Sequence, residues 1–231
     1  MKFKIKNKLT GAVIFSHEQE NNSIKATIEL AIKSGADLSN ANLPYANMSY
    51  ADLSYADLPY ANLSNANLYV AKLSYADLSD ADLSGANLSY ADLSYADLSD
   101  ADLSGANLSH ADLSYANLSG ANLYGAKLSG ADLSHADLSY ANLSNADLYG
   151  ANLLCQGDMK FIFTLQLDKW NIGFTKETLQ IGCQKHSINE WREFTDERIS
   201  NMSNHALVWW KRWKVLLFSI IDERLKDVDY E

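Results

Sequence analysis

Cysteine is scarce: the 231 residues hold two, Cys155 and Cys183. Two thiols give no disulfide framework, so a reducing compartment is expected. Long apolar runs are missing as well. The run at 215–221 is broken by Ser219, and a membrane helix needs about 20 apolar residues. The N-terminal apolar stretch, 12–15, is too short for the core of a signal peptide. The expectation is a cytoplasmic protein with no membrane segment. No glycine-rich phosphate loop is present. Cys183 and His186 form a lone Cys–x–x–His, whereas a zinc site needs four ligands and no second cluster exists. His17, His110 and His205 have no visible partners, and His135 and Cys155 come with no oxyanion hole or pocket. No metal, no cofactor and no enzymatic activity are expected.

Glutamate is absent from residues 36–155, yet this segment carries nearly all the excess acidity. It holds 14 Asp and two Lys, a net −12. Residues 1–35 carry six Lys and three Glu, a net +3, and residues 156–231 a net −1. The chain's formal charge is −10.

What fills 36–155 is one pattern. Alanine recurs every five residues from Ala36 to Ala151, giving 24 units that read Ala–(Asp/Asn/Lys)–Leu–x–x, with Met48 once in place of Leu. A five-residue period fits neither a helix face nor a plain strand. Ala and Leu, two apart, point the same way on extended backbone, and the last two residues must turn a corner. Such a fixed-period repeat makes a solenoid. Residues 76–95 and 96–115 are nearly the same string, differing at Tyr90 against His110. Four units per coil, and six coils, follow. At the strand spacing of about 4.8 Å the rod is roughly 29 Å long. Gly85, Gly105, Gly120, Gly125, Gly130 and Gly150 fall at corners, where glycine eases the turn.

The uninterrupted A(D/N)Lxx run resembles the pentapeptide-repeat family. The resemblance implies a right-handed quadrilateral β-helix with the Leu and Ala side chains inward. It also brings a functional expectation. Some members that protect or inhibit DNA gyrase resemble duplex DNA in size and charge.

Stacking residues 20 apart assigns the outward side chains to four faces. The first carries Asp37, Asp57, Asp77, Asp97 and Asp137, broken by Asn117, with Asp80 and Asp100, and totals −7. The others total −2, zero and −3. The neutral face has an Asn column at Asn47, Asn67, Asn87 and Asn107. The fourth has a column of Tyr55, Tyr75, Tyr95 and Tyr115, continued by His135 and Cys155, which reads as a structural ladder.

The ends are different. In 1–35, the stretches 3–5 and 12–15 flank a turn at 9–11 and read as a hairpin. Asn22 or Ser23 can cap a helix with Ile24, Ile28, Ala31 and Ile32 on one face, stopped at Gly35. This segment is expected to close one end of the solenoid, and 156–231, an α+β module, the other. In that module, 161–167, 170–175 and 178–183 read as strands. Ser187 and Glu190 form a capping box, and a helix runs from about 204 to 226. Its apolar face is too wide to be left in water and must pack on the strands, on the solenoid end or on a second chain; Trp209, Trp210, Trp213, Leu217, Ile220 and Ile221 are the candidate interface, including one for a homodimer. Residues 181–183 and the Trp-rich helix resemble tails of bacterial or prophage repeat proteins.

The functional expectation is a non-enzymatic interaction protein. Its first acidic face would bind a basic protein surface, with gyrase or another type II topoisomerase as the named partner and no direct nucleic-acid binding. The alternative is a spacer or scaffold presenting the Trp-rich module for protein–protein interaction.

Overall fold

The computed structural model describes residues 2–148, 150–152, 163–167, 170–174, 177–181, 184–203 and 205–228. Cys155, Cys183 and the last three residues of the repeat lie outside these, as do 161–162, 175, 182–183 and 204, where expected elements began or ended. The chain divides into two compact units, Met1–Met159 and Lys160–Glu231.

The first unit opens with β1 (Lys2–Asn7) and β2 (Val13–Glu18), an antiparallel hairpin. Helix α1 (Ile24–Lys33) follows, its N-terminus capped by Ser23, whose side chain accepts from the Ala26 N–H. Strand β3 (Ala41–Asn42) pairs with β1, so the sheet order is β2-β1-β3. The hairpin is thereby stitched to the start of the repeat. From α1, Glu29 accepts the Asp52 N–H at 3.0 Å, and Lys25 donates to the carbonyls of Ser49 and Tyr50. These bonds occupy backbone groups that have no preceding coil to pair with.

The repeat follows a single bonding scheme. Parallel bridges join the second residue of each unit to its counterpart 20 residues on, from Asn42–Asn62 to Asp132–Asn152. Each 20-residue tier thus holds four units. All five N–H groups of a typical unit are accounted for. In the unit Ala76–Asp80, the Ala76 N–H closes a turn onto the Leu73 carbonyl at 3.1 Å. Asp77 donates to Ala56 in the tier before, and Leu78 and Asp80 donate to Asp97 and Ser99 in the tier after. The fifth, the Ser79 N–H, goes to the Asp77 side chain at 2.9 Å. Second-position Asp or Asn thus serves the backbone, in an Asx-type turn repeated along the chain and interrupted at Lys72 and Lys127.

Each corner is a β-turn whose third residue has positive φ. From residue 40 to residue 150, every fifth residue has φ between 55° and 71°, seventeen of them not glycine. That conformation favours Gly or Asn, and here tyrosine, histidine, aspartate and Val70 adopt it. Both prolines, Pro44 and Pro59, sit at the second position of such turns, where their fixed φ fits. At Gly120 a Cβ would meet Asp100 Oδ1 at 2.1 Å, so any larger residue there requires the Asp100 side chain to turn away. Inside, the repeat leucines from Leu38 to Leu143, with Met48, and the alanines from Ala41 to Ala146 are buried. Each leucine buried contributes on the order of 2 kcal/mol before ordering costs.

The second unit has a four-stranded antiparallel sheet in the order β4-β5-β6-β7. The strands are β4 (Phe163–Leu167), β5 (Trp170–Phe174), β6 (Thr178–Ile181) and β7 (Gln184–Ser187). Strand β7 was not expected from the sequence. Helices α2 (Ile188–Glu193), α3 (Asp196–Ser200) and α4 (Ala206–Val228) follow. The Ser187–Glu190 capping box is formed. Phe174, Leu179, Trp191, Trp210, Leu217 and Ile221 are among the residues of one core, and the Trp191 indole N–H donates to the Leu179 carbonyl at 2.7 Å. Among the described residues, no helix is long and apolar enough to cross a membrane, and no cluster of His, Cys, Asp or Glu could hold a metal ion.

Candidate functional site

The acidic column forms through the tier register. Asp57, Asp77, Asp97, Asn117 and Asp137 are bridged in sequence, and the Leu38 N–H bonds the Asp57 carbonyl, which brings Asp37 into line. Asp80 and Asp100 stand apart from the column at corners, exposed, each with φ 55°. Asp37 and Asp57 are exposed, and Asp77, Asp97 and Asp137 are half-buried.

These carboxylates are structural as well as charged. Asp77 Oδ1 takes both the N–H and the hydroxyl of Ser79, at 2.9 and 2.7 Å. Asp137 Oδ1 does the same with Ser139. Asp97 Oδ1 accepts from the Ser99 N–H at 3.0 Å and from Asn117 Nδ2 at 3.0 Å. Asp57 differs because the residue two positions on is Pro59, which has no N–H to give. Its carboxyl is held above its ordinary value by partial desolvation and by the charges of Asp37 and Asp77. Asp37 and Asp52 shift the other way, lowered first by hydrogen bonds from Ser39 and Ser54. Asp57 is thus the point where the column's mutual repulsion is felt without the local compensation.

Two further columns matter. The Asn column is a side-chain amide ladder: Asn67, Asn87 and Asn107 each donate to the Asn of the tier before, at 3.3 to 3.4 Å. The tyrosine column is a ring stack, Tyr55–Tyr75–Tyr95–Tyr115–His135, with centroids 5.1, 4.9, 4.8 and 4.7 Å apart. Its corner lies in sequence between the second-position residues of the fourth face (Asp52, Lys72, Asp92, Asp112, Asp132) and those of the first. A smaller cluster of Tyr50, Tyr69, Tyr90 and His110 escaped sequence reasoning, because Tyr69 occupies the fourth position where serine is usual. That displacement was its only sequence signal.

Packing within the second unit, one of the expected ways to cover the apolar face of α4, takes up most of the candidate interface residues. Trp209, Trp210, Leu217 and Ile221 are buried in the second unit's own core, and Trp213 and Ile220 pack partly against it. Helix α4 has apolar residues around most of its circumference, and burying indoles against the sheet and α2 covers the largest apolar area. What it leaves outward is Val208, Val215 and Leu216, 74%, 82% and 47% exposed. Lys211 pairs with Asp196 at 2.7 Å, and Arg192 pairs with Asp222. A shallow apolar cavity of about 60 Å³ is lined by Trp191, Trp209, Trp210, Ile181 and Ile199.

With this geometry in place, the chain's relatives can be identified. The Pentapeptide repeats family matches across residues 34–153 in overlapping segments. The chain belongs to the pentapeptide-repeat family. No curated protein matches it. Among solved structures it is similar to a pentapeptide repeat protein of the Arabidopsis thaliana thylakoid lumen, with 35% identity over 42% of this chain and a TM-score of 0.32. The match spans 65% of that protein's length. It is also similar to HetL, a pentapeptide repeat protein involved in heterocyst differentiation regulation in Nostoc sp. strain PCC 7120. There the identity is 31%, over 50% of this chain and 75% of that one, with a TM-score of 0.21. A third is QnrB1, a plasmid-mediated fluoroquinolone resistance protein, with 24% identity over 52% of this chain and 61% of that one, and a TM-score of 0.33.

Proposed function

We propose that this protein is a non-enzymatic interaction protein whose repeat winds as a right-handed, four-sided β-helix and binds a basic protein surface through its first acidic face. Asp37, Asp57, Asp77, Asp80, Asp97, Asp100 and Asp137 carry that face. The observation that supports it most is the column itself: one face gathers seven of the repeat's fourteen aspartates and no lysine. The repeat carries about one net charge per 2.4 Å of rod at strand spacing. Duplex DNA carries one per about 1.7 Å. A groove that accepts duplex DNA suits such a surface, and gyrase or another type II topoisomerase is the named candidate. The family resemblance supports that choice, as does the absence of any long basic stripe on the repeat. The 1–35 segment acts as the first cap, and 156–231 as a separate module.

The test is a supercoiling assay with purified gyrase, with and without quinolone, beside direct binding at low salt. Inhibition or protection is expected, and neither effect together with no binding refutes the assignment. The triple variant Asp57→Asn, Asp77→Asn, Asp97→Asn weakens binding and lowers its salt dependence.

A second reading, that the repeat is a spacer presenting the C-terminal module, is favoured by the outward Val208, Val215 and Leu216. Deleting 156–231 separates the two: activity retained by the repeat alone rules the spacer out.

A further inference from the structure

Lysines of β1 extend one side of the repeat. Lys2, Lys4 and Lys6 are exposed and alternate with Phe3 and the buried Ile5, so the three share the outward face of the strand. Lys2 pairs with Glu18 at 3.8 Å. Among the described residues, no carboxylate pairs with Lys4, Lys6 or Lys8. Their cross-strand neighbours are neutral: Ser16 lies opposite Lys4, and Val13 and Asn42 flank Lys6.

Strand β1 stands where a tier before the first would stand. Lys6 is in register with Asn42, and the parallel bridges carry the line on through Asn62, Asp82 and Asp102. Residues directly opposite on paired strands share a face, so Lys6 heads this column. The middle of the column is neutral amide, with Asn62 Nδ2 donating to Asn42 Oδ1 at 3.3 Å. Beside it, the Lys8 N–H donates to the Asn40 carbonyl at 2.8 Å, which puts Lys8 at the head of the corner column Asn40, Tyr60, Asp80 and Asp100. This face of the repeat, which totals −2, is therefore positive at the cap, amide in its middle and negative from Asp82 onward. Asp102 lies four strand spacings from Lys6, about 19 Å.

A polyanion would meet the lysines and be repelled by Asp80, Asp82, Asp100 and Asp102. A uniformly basic surface would meet the aspartates and be repelled by the lysines. The surface that suits both ends carries the same charges in reverse order, and a second copy of this chain, turned end for end, supplies it. A contact of that kind is isologous, each residue meeting its complement twice.

We propose that two copies associate face to face and antiparallel through this side, about a two-fold axis at the level of Asn62. Lys6 of each copy then faces Asp102 of the other, Lys8 faces the Asp100 corner, Asn42 faces Asp82, and Asn62 meets its own counterpart. The contact is narrow and polar, so the dimer is weak and loosened by salt. The inference goes beyond the acidic-face reading and does not depend on it, since Asp57, Asp77 and Asp97 stand in a different column.

The test is sedimentation equilibrium of the full chain, up to about 1 mM, the range of a weak polar contact. A dimer is expected at low salt and a monomer at about 1 M, where the Debye length is about 3 Å. Lys6→Glu and Asp102→Lys each set like charges opposite one another at two places. Each should weaken dimerisation by about 10-fold or more. Lysine at the second position is tolerated, since the repeat already holds Lys72 and Lys127 there. An equimolar mixture of the two variants should regain the dimer, because the introduced glutamate faces the introduced lysine while Lys6 and Asp102 meet at the other end. Should Asp102→Lys not fold, Asp102→Asn takes its place, keeping the acceptor for the Ser104 N–H, and must weaken the dimer as well. A parent chain that stays monomeric at low salt overturns the inference. So does a dimer that survives Lys6→Glu, as one formed through α4 would, or a mixture of folded variants that stays monomeric. A monomer whose lysines bind a DNA duplex or an anionic vesicle instead overturns it too.

Discussion

Replacing Asp57 by asparagine should stabilise the repeat. Its column neighbours Asp37 and Asp77 lie one tier away on either side, at a strand spacing of about 4.8 Å. In water each such pair repels by about 0.9 kcal/mol, and a Debye length of about 8 Å at physiological salt cuts this roughly in half. Two pairs then total about 1 kcal/mol. The variant forfeits no Asx bond, because Pro59 offers no N–H. An asparagine can also join the side-chain ladder, as Asn117 does on Asp97 at 3.0 Å. The charged group's raised pKa has the same sign. Ionised Asp57 weakens the fold above its own pKa, and the fold recovers as pH falls through that value toward the ordinary one. Urea denaturation followed by circular dichroism measures the effect as a shift in midpoint at constant slope. The midpoint should rise at 0.15 M salt and move little at 1 M, and the gain should shrink as pH is lowered. A midpoint that falls, or a rise unaffected by salt, refutes the electrostatic reasoning.

Asp77→Ala should act in the opposite direction, costing about 1–2 kcal/mol because the Ser79 N–H and hydroxyl lose their acceptor, whereas Asp77→Asn keeps it. Val70, a β-branched residue at φ 55°, holds a strained corner, and Val70→Asn should raise the unfolding free energy by about 1 kcal/mol, read as a higher denaturation midpoint. Asp37 and Asp52, with lowered pKa, contribute stability above the ordinary aspartate value that is lost as pH falls below it; an acid titration of Asp52→Asn against the parent chain should show a constant difference near neutral pH that changes only as pH falls below that value. Ser187→Ala, which breaks the capping box, should cost about 1 kcal/mol in the second unit and leave the repeat's transition unmoved, as hydrogen exchange resolved by segment would report.

The repeat was legible because its chemistry is periodic. The near-identity of 76–95 and 96–115 gave the tier length that the parallel bridges display, and the Asn and Tyr columns followed from it. Less legible was why the second position is Asp or Asn. It reads as a solubilising charge until the Ser79 N–H is seen to need Asp77. The corners were half-read: glycine there suggested a special conformation, but tyrosine at Tyr75 adopts it too, because the tier-to-tier bonds impose it on whatever residue falls there. In the second unit the apolar breadth of α4 was plain, but not which side packs inward. Trp209 and Trp210 looked like an interface and are core. Strand β7 was hidden because Gln184 to Ser187 has no apolar alternation, and only its pairing with β6 reveals it.

The claim that the first acidic face is the working surface is tested most directly by comparing the full chain with its Asp57→Asn, Asp77→Asn, Asp97→Asn variant for binding to purified gyrase at several salt concentrations. The account predicts a folded variant, at least as stable as the parent, with weaker binding and a shallower salt dependence. Binding that is unchanged by the three substitutions, or absent in the parent at low salt, contradicts it.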